Sequence, residues 1–179
     1  LEIGTGWGGM AIHAAQHYGC RVTTTTISQE QFNLASERVR AAGLEDRISV
    51  LLKDYRDLDG QYDKLVSIEM IEAVGHDFYD TYFGKCAALL KDDGLMLLQA
   101  ITIADQRYDA ARKSVDFIQR YIFPGSCIPS VTAMNASITR ASDLKLAHLE
   151  DIGPHYATTL RSWREKFFRN IEAVRTLGY

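Results

Sequence analysis

The sequence is poor in proline, cysteine and net charge, and each shortage excludes something. Its three prolines, Pro124, Pro129 and Pro154, all fall in the last third. The first 123 residues therefore hold nothing that locks φ or removes a backbone donor, and regular elements can run through them. Three cysteines, Cys20, Cys86 and Cys127, lie far apart with no CxxC pair. That spacing fits neither a disulfide framework nor a zinc site, and a reducing compartment is the simple reading. Lys and Arg number 20 against 23 Asp and Glu, which excludes an overall basic footprint for nucleic acid. The longest apolar stretch, Leu95 to Ala104, is interrupted by Gln99 and Thr102. It is far short of the ~20 residues a membrane-spanning helix needs. No repeat and no low-complexity tract is visible.

What remains is an ordinary globular composition, 46% hydrophobic and 24% charged, long enough to bury one domain's core. The sequence opens on Leu1-Glu2-Ile3, which reads as the end of a strand whose typical length is about 5–6 residues. We therefore read an internal fragment of a larger protein, truncated at both ends. Strands are predicted near 1–3, 21–27, 48–53, 64–68, 95–103 and 144–152, with 95–103 buried inside the sheet. A further strand is expected after Tyr179. Helices are predicted over Gly8–Tyr18, Ser28–Ala42, Phe78–Leu90, Ala111–Tyr121, Val131–Arg140 and Tyr156–Leu177, from apolar stripes such as Phe32, Ala35 and Val39. Ser28 and Gln31 have the spacing of a capping box. Alternation of this kind gives an α/β fold, a parallel sheet with helices on both faces. Residues 105–143 read as an insertion on the substrate side of that one domain.

The glycine-rich turn is the first functional signal. Glu2-Ile3-Gly4-Thr5-Gly6-Trp7-Gly8-Gly9 sits at a strand end and opens a helix. Glycines allow the sharp turn and close approach to a ligand, and the helix start offers free N–H groups. Gly4, Gly6 and Gly9 match the dinucleotide fingerprint, but such a site wants an acid about 20 residues on. The second strand ends Thr23-Thr24-Thr25-Thr26-Ile27, without a carboxylate. Glu2 before the glycines suits S-adenosylmethionine, whose ammonium and sulfonium are cationic. A dinucleotide and a ligand-free turn stay open as alternatives.

Further segments follow in order: Thr26-Ile27-Ser28-Gln29-Glu30-Gln31, Asp54-Tyr55-Arg56-Asp57-Leu58, Met70-Ile71-Glu72-Ala73-Val74-Gly75-His76, Tyr121-Ile122-Phe123-Pro124-Gly125 and Gly153-Pro154-His155-Tyr156. With the glycine turn, this set resembles the cyclopropane-fatty-acyl-phospholipid synthase family, which includes the mycolic acid cyclopropane synthases and methyltransferases. The resemblance spans essentially the whole sequence. It implies a Rossmann-like class I methyltransferase fold and S-adenosylmethionine as cofactor. Glu2, Gly4, Gly6 and Gly8 would then hold the methionine part, and Thr26, Ile27, Ser28 and Gln31 the ribose side. Asp54 and Tyr55 would flank the adenine. The plain alternative for Gln31 is helix capping, and for Tyr55 a half-buried loop aromatic.

The family's chemistry has a cis alkene attack the sulfonium methyl, leaving a carbocation from which a base removes a proton. Aromatic faces stabilise such cations by ~0.5–2 kcal/mol each, and Phe123, in the matching segment, is the candidate substrate-side aromatic. The resemblance implies bicarbonate as the bound base, held by a cysteine, a Glu, a His, a backbone group two residues after that His, and a Tyr. Glu72, Ile101 and Tyr156 match the Glu, the backbone group and the Tyr; the cysteine would lie upstream of Leu1. The His position is Gln99 here. An amide can donate and accept but cannot titrate near neutrality, which leaves cyclopropane and methylated products both open. Glu69, three residues before Glu72, is a less favoured substitute. Structural roles are the alternatives for Glu72, as a buried carboxylate, and Gln99, as a core amide. No metal site is expected.

The implied partners are unsaturated phospholipid acyl chains at a membrane surface, with a cytoplasmic protein peripheral to the inner membrane, no nucleic acid, and a homodimer as the oligomeric expectation. The last helix carries Arg161, Arg164, Lys166, Arg169 and Arg175, a basic face that suits an anionic surface or plain solvent. The alternatives in function are a small-molecule or amine acceptor within the same family, a cofactor-binding fragment without catalysis, and a nicotinamide-dependent oxidoreductase.

Overall fold

The computed structural model describes residues 1–178. They divide into two compact units, the first ending at Lys145 and the second beginning at Leu146. In the first unit five strands form one sheet: β1 (Glu2–Ile3), β2 (Val22–Thr26), β3 (Ile48–Leu52), β4 (Tyr62–Ile68) and β5 (Leu90–Gln99). Their order is β3-β2-β1-β4-β5, and every pair is parallel. Helices α1 (Gly9–Tyr18), α2 (Gln29–Ala41), α3 (Tyr79–Ala88), α4 (Asp105–Ala111), α5 (Phe117–Tyr121) and α6 (Val131–Ala141) complete this unit. The α/β, Rossmann-like reading holds.

Strand alternation decides the two faces. Glu2 pairs with Thr24 and Val66, so these three share a face, and Ile3 points the other way. On the first face α1 and α2 lay Ala11, Ala15 and Val39 against Ile48. On the second, α3 lays Tyr79, Tyr82, Phe83 and Cys86 against Ile3 and Leu65, with Leu98 packed alongside. Asp80 on α3 holds Arg140 of α6 at 2.8 Å, and Ser137 donates to the same carboxylate.

Several expectations are corrected here. β5 begins at Leu90, not 95, because Tyr62 pairs with Leu90 and Lys64 with Leu95 across a bulge. The polar run Lys91-Asp92-Asp93-Gly94 lies within β5 as the bulge between those two pairs. β5 is also the edge of the described sheet rather than an interior strand, and Leu95 and Leu97 are 61% and 56% exposed. The strand expected over 144–152 does not form, since those residues join no ladder. The further strand placed after Tyr179 lies outside the described residues. Of the helix expected over 111–121 only the second half forms, as α5, because Asp116 and Gln119 make a full capping box that starts it afresh, while α4 occupies the residues before it and ends at Ala111.

The second unit holds α7 (Gly153–Arg169) and α8 (Ile171–Thr176). One helix was expected over 156–177; it starts earlier, with Pro154 in its first turn, where a missing N–H costs nothing. It breaks at Asn170, whose own N–H and side-chain amide bond back to carbonyls of the preceding turn.

Candidate active site

Because all five strands run parallel, their carboxyl ends share one edge, and the segments that follow them meet there. After β1 the glycine turn has Gly4, Gly6 and Gly8 at φ 100°, 51° and 83°, conformations that L side chains rarely adopt. The N–H groups of Gly4 and Thr5 both donate to the carbonyl of Thr25, at 3.1 and 2.9 Å, which ties the turn to β2. At Gly8 a Cβ would lie 3.2 Å from the Ala35 side chain, so α1 begins in close contact with α2; at Gly6 a Cβ would meet nothing within 4 Å. The turn is held firmly from behind and open in front. No side chain caps α1, which leaves its first N–H groups facing the edge.

Glu2 is only 4% exposed. It accepts a hydrogen bond from the Thr24 hydroxyl at 2.6 Å. Thr24 has one proton to give, so the Thr5 hydroxyl, 2.7 Å away, donates to Thr24. Burial pushes the Glu2 carboxyl up to about 7, against the opposing effect of the Thr24 bond. A cationic group nearby would favour its charged form.

Beyond β2, Ser28 accepts from the Gln31 N–H at 3.3 Å and caps α2. The expected capping box is half made, because the Gln31 side chain accepts from the Thr26 hydroxyl at 2.7 Å instead of reaching the Ser28 N–H. Thr26 Oγ1 accepts from the Ser28 N–H at 3.1 Å. Ile27 is 77% exposed, an apolar platform at the strand end. After β3, Asp54 accepts from the Arg56 N–H and Nε, both at 2.9 Å, and from a terminal guanidinium nitrogen at 2.8 Å. Arg56 thus engages both carboxylate oxygens and holds the group below the usual range. Tyr55 packs edge-on to Tyr82, 5.5 Å between ring centroids, and burial raises its phenol.

After β4 and β5 the chemistry changes character. Glu69 has φ 50°, the one non-glycine residue with positive φ among the described residues. Its N–H donates to the Gln99 carbonyl at 2.8 Å, and its Oε1 accepts from Gln99 Nε2 at 3.0 Å. Glu72 lies in a 3-10 turn, Ile71–Ala73. Its Oε1 accepts from the Ile101 N–H at 2.6 Å. Its Oε2 is buried with no hydrogen-bond partner among the described residues. Burial pushes the Glu72 carboxyl up from its ordinary value. The Glu72 carbonyl accepts from the Cys127 N–H at 2.7 Å, tying the segment that carries Phe123 to this turn. Phe123 itself is 63% exposed, its carbonyl accepting from Ser126 N–H at 3.1 Å.

The first unit therefore brings fourteen of the fifteen expected positions to the strand-end segments or to the loop tied to them: Glu2, Gly4, Gly6, Gly8, Thr26, Ile27, Ser28, Gln31, Asp54, Tyr55, Glu72, Gln99, Ile101 and Phe123. Tyr156 lies in the second unit, on α7, its ring 6.1 Å from that of Trp163. Sequence reasoning missed Thr5 and Thr24, although Thr24 shares a face with Glu2 by strand alternation. It also ranked Glu69 low, since no residue pattern announces a left-handed glutamate.

A family model described as mycolic acid cyclopropane synthetase matches residues 1–178. The tuberculostearic acid methyltransferase UfaA1 of Mycobacterium tuberculosis is 44% identical over 179 residues, all of this chain and 42% of that protein. The cyclopropane-fatty-acyl-phospholipid synthase of Escherichia coli K12 is 42% identical over 168 residues, 93% of this chain and 41% of that protein. Among solved structures, mycolic acid cyclopropane synthase CmaA1 complexed with SAH and CTAB superposes with a TM-score of 0.84 at 29% identity, over 94% of this chain and 62% of that one. The chain thus spans under half the length of these two curated relatives.

Proposed function

Since the chain belongs to the mycolic acid cyclopropane synthetase family, we propose that the full-length protein transfers a one-carbon unit from S-adenosylmethionine to the cis double bond of an unsaturated phospholipid acyl chain. The observation that carries the reading is the shared edge. An open glycine turn backed by a buried carboxylate lies at one end of the parallel strands, and Glu72 with an unpartnered buried oxygen lies at the same edge.

S-adenosylmethionine, bound there, supplies an electrophilic methyl on a sulfonium. The residues fit it: the open space at Gly6 admits the methionine part, Glu2 answers its cationic charge, and Ile27 offers an apolar face to the nucleoside. Gln31 and Asp54 serve mainly to hold Thr26 and the 3-10 turn in place. The acyl alkene's electron pair forms a bond to the methyl carbon while the carbon–sulfur bond breaks, its pair staying on sulfur. One positive charge then sits on the chain. Loss of a proton from the added methyl, with its C–H pair forming a third carbon–carbon bond, closes a cyclopropane. Loss of a neighbouring proton leaves a methylated alkene. Glu72, kept basic by burial, and the Phe123 face are the groups that stabilise the charge.

No helix among the described residues is long and apolar enough to cross a membrane. We assign the protein to the cytoplasmic face of the inner membrane as a peripheral homodimer, with the basic face of α7 toward anionic lipid. The test is product analysis with methyl-labelled S-adenosylmethionine and the full-length protein. Label should enter unsaturated phospholipid and not amine acceptors. Glu72→Gln should lower that transfer by ~100-fold or more, the range of a lost acid–base group, and Tyr156→Phe should lower it less. Label in amines alone would refute the lipid reading.

A further inference from the structure

Helix α1 turns its small side chains inward. Ala11, Ala14 and Ala15 are buried, and Ala11 and Ala15 pack with Val39 and Ile48, so one side of the helix is held against the sheet. Its outer side carries His13 and His17, both exposed. Residues four apart on a helix are neighbours on one face. The two imidazoles lie 4.4 Å apart between ring centroids, tilted by 43°, and Tyr18 flanks His13 edge-on at 6.0 Å. Among the described residues no hydrogen bond engages either imidazole. His76 differs, since its Nδ1 is bonded to the Tyr108 hydroxyl at 2.6 Å. Two unengaged imidazoles on one helical face give a transition metal nitrogen donors on a backbone that is already ordered.

We propose that His13 and His17 form a surface site that chelates a divalent transition-metal ion of the zinc, copper or nickel kind. Each neutral imidazole gives the ion one ring nitrogen. The spacing is that of the two zinc-binding histidines in the helical H-E-x-x-H motif. Here the segment reads His13-Ala14-Ala15-Gln16-His17, so alanine stands where that motif has its general base, and the site holds metal without that chemistry. No three metal-ligating side chains cluster among the described residues. The pair therefore supplies two ligands and water the rest, which makes the site open and exchangeable rather than closed and structural. The carbonyl end of a helix also favours a cation. Arg47 takes the outermost place there, donating to the Gly19 carbonyl at 2.8 Å, and His17 lies in the last turn before it. Gly9, where α1 starts beside the glycine turn, is about 12 Å of helix away from His17 at 1.5 Å per residue. Metal binding is thus separate from the cofactor cradle and independent of the methyl-transfer reading.

The experiment is a calorimetric titration of the full-length protein with zinc chloride, in a buffer that does not bind metal, repeated on variants. Wild type should show a saturable event that His13→Ala and His17→Ala each weaken at least tenfold, because one imidazole alone does not chelate. His17→Ala combined with Tyr18→His keeps the number of histidines but sets the pair five residues apart, off the shared face, and should not restore binding. All three positions are exposed and alanine favours a helix, so circular dichroism should show each variant folded. Absence of saturable zinc binding by wild type overturns the proposal. Zinc binding that all the variants keep overturns it as well, because the metal then sits elsewhere. Tight binding restored by the displaced pair overturns the chelate geometry.

Discussion

Along β1, β2 and β3 the strand-end side chains are partnered within the chain: Glu2 with Thr24, Thr26 with Gln31, Asp54 with Arg56. At the ends of β4 and β5 a buried carboxylate oxygen has no partner and a glutamate sits in a strained backbone. In the first region side chains hold the loops, and the backbone N–H groups and open space are left for a ligand. In the second, the backbone groups are engaged and side-chain acceptors are left over. A bound nucleoside wants a rigid cradle, because ordering loops on binding costs affinity. A reaction that develops positive charge wants fixed acceptors in a site from which water is excluded.

The comparison breaks most readily at the cradle. Gly6→Val puts a branched residue at φ 51° and fills the open space. Calorimetry should show S-adenosylmethionine affinity falling by ~100-fold or more, about 2.7 kcal/mol, with the sheet's circular dichroism retained. Unchanged affinity would mean the cofactor does not approach this turn.

Glu2 gives a smaller effect with a defined sign. Its carboxyl is pushed up from 4.5 to about 7 by burial, so between those values the folded state binds more protons than the unfolded one. Stability should therefore fall as pH rises from about 4.5 to about 7, by up to ~3 kcal/mol. Glu2→Gln keeps an acceptor for Thr24 and should flatten that slope in urea unfolding. A slope that survives the substitution would assign it to another group. Smallest is Asp54→Ala, which removes a cap and an exposed ion pair. It should cost about 1 kcal/mol or less and change cofactor affinity only a few fold, whereas a large loss would restore a direct contact with the nucleoside.

The cradle was also the more legible region. A β-branched run at Thr23–Thr26, an amphipathic α2 and glycines at fixed spacing are local signals, and each element fell within a residue or two of its place. The β4–β5 region depends on what sequence does not display. The bulge near Lys91–Gly94 follows from pairing with β4, not from its own polar residues. Residues 144–152 have strand-like apolar content but no ladder to join. Glu72 and Gln99 were found through the resemblance, while the bond between Gln99 and Glu69 joins residues 30 positions apart through a left-handed turn that no periodicity reveals. Asp116-x-x-Gln119 before α5 and Pro154 in the first turn of α7 are local signals that mark helix starts more exactly than the apolar stripes do.

The division itself is tested most directly by titrating S-adenosylmethionine into full-length Glu72→Gln by calorimetry. Glu72 belongs to the region of unpartnered acceptors, so the affinity should stay within a few fold of wild type even as lipid methylation collapses. An affinity that falls as far as the turnover would place Glu72 in the cradle and contradict the account.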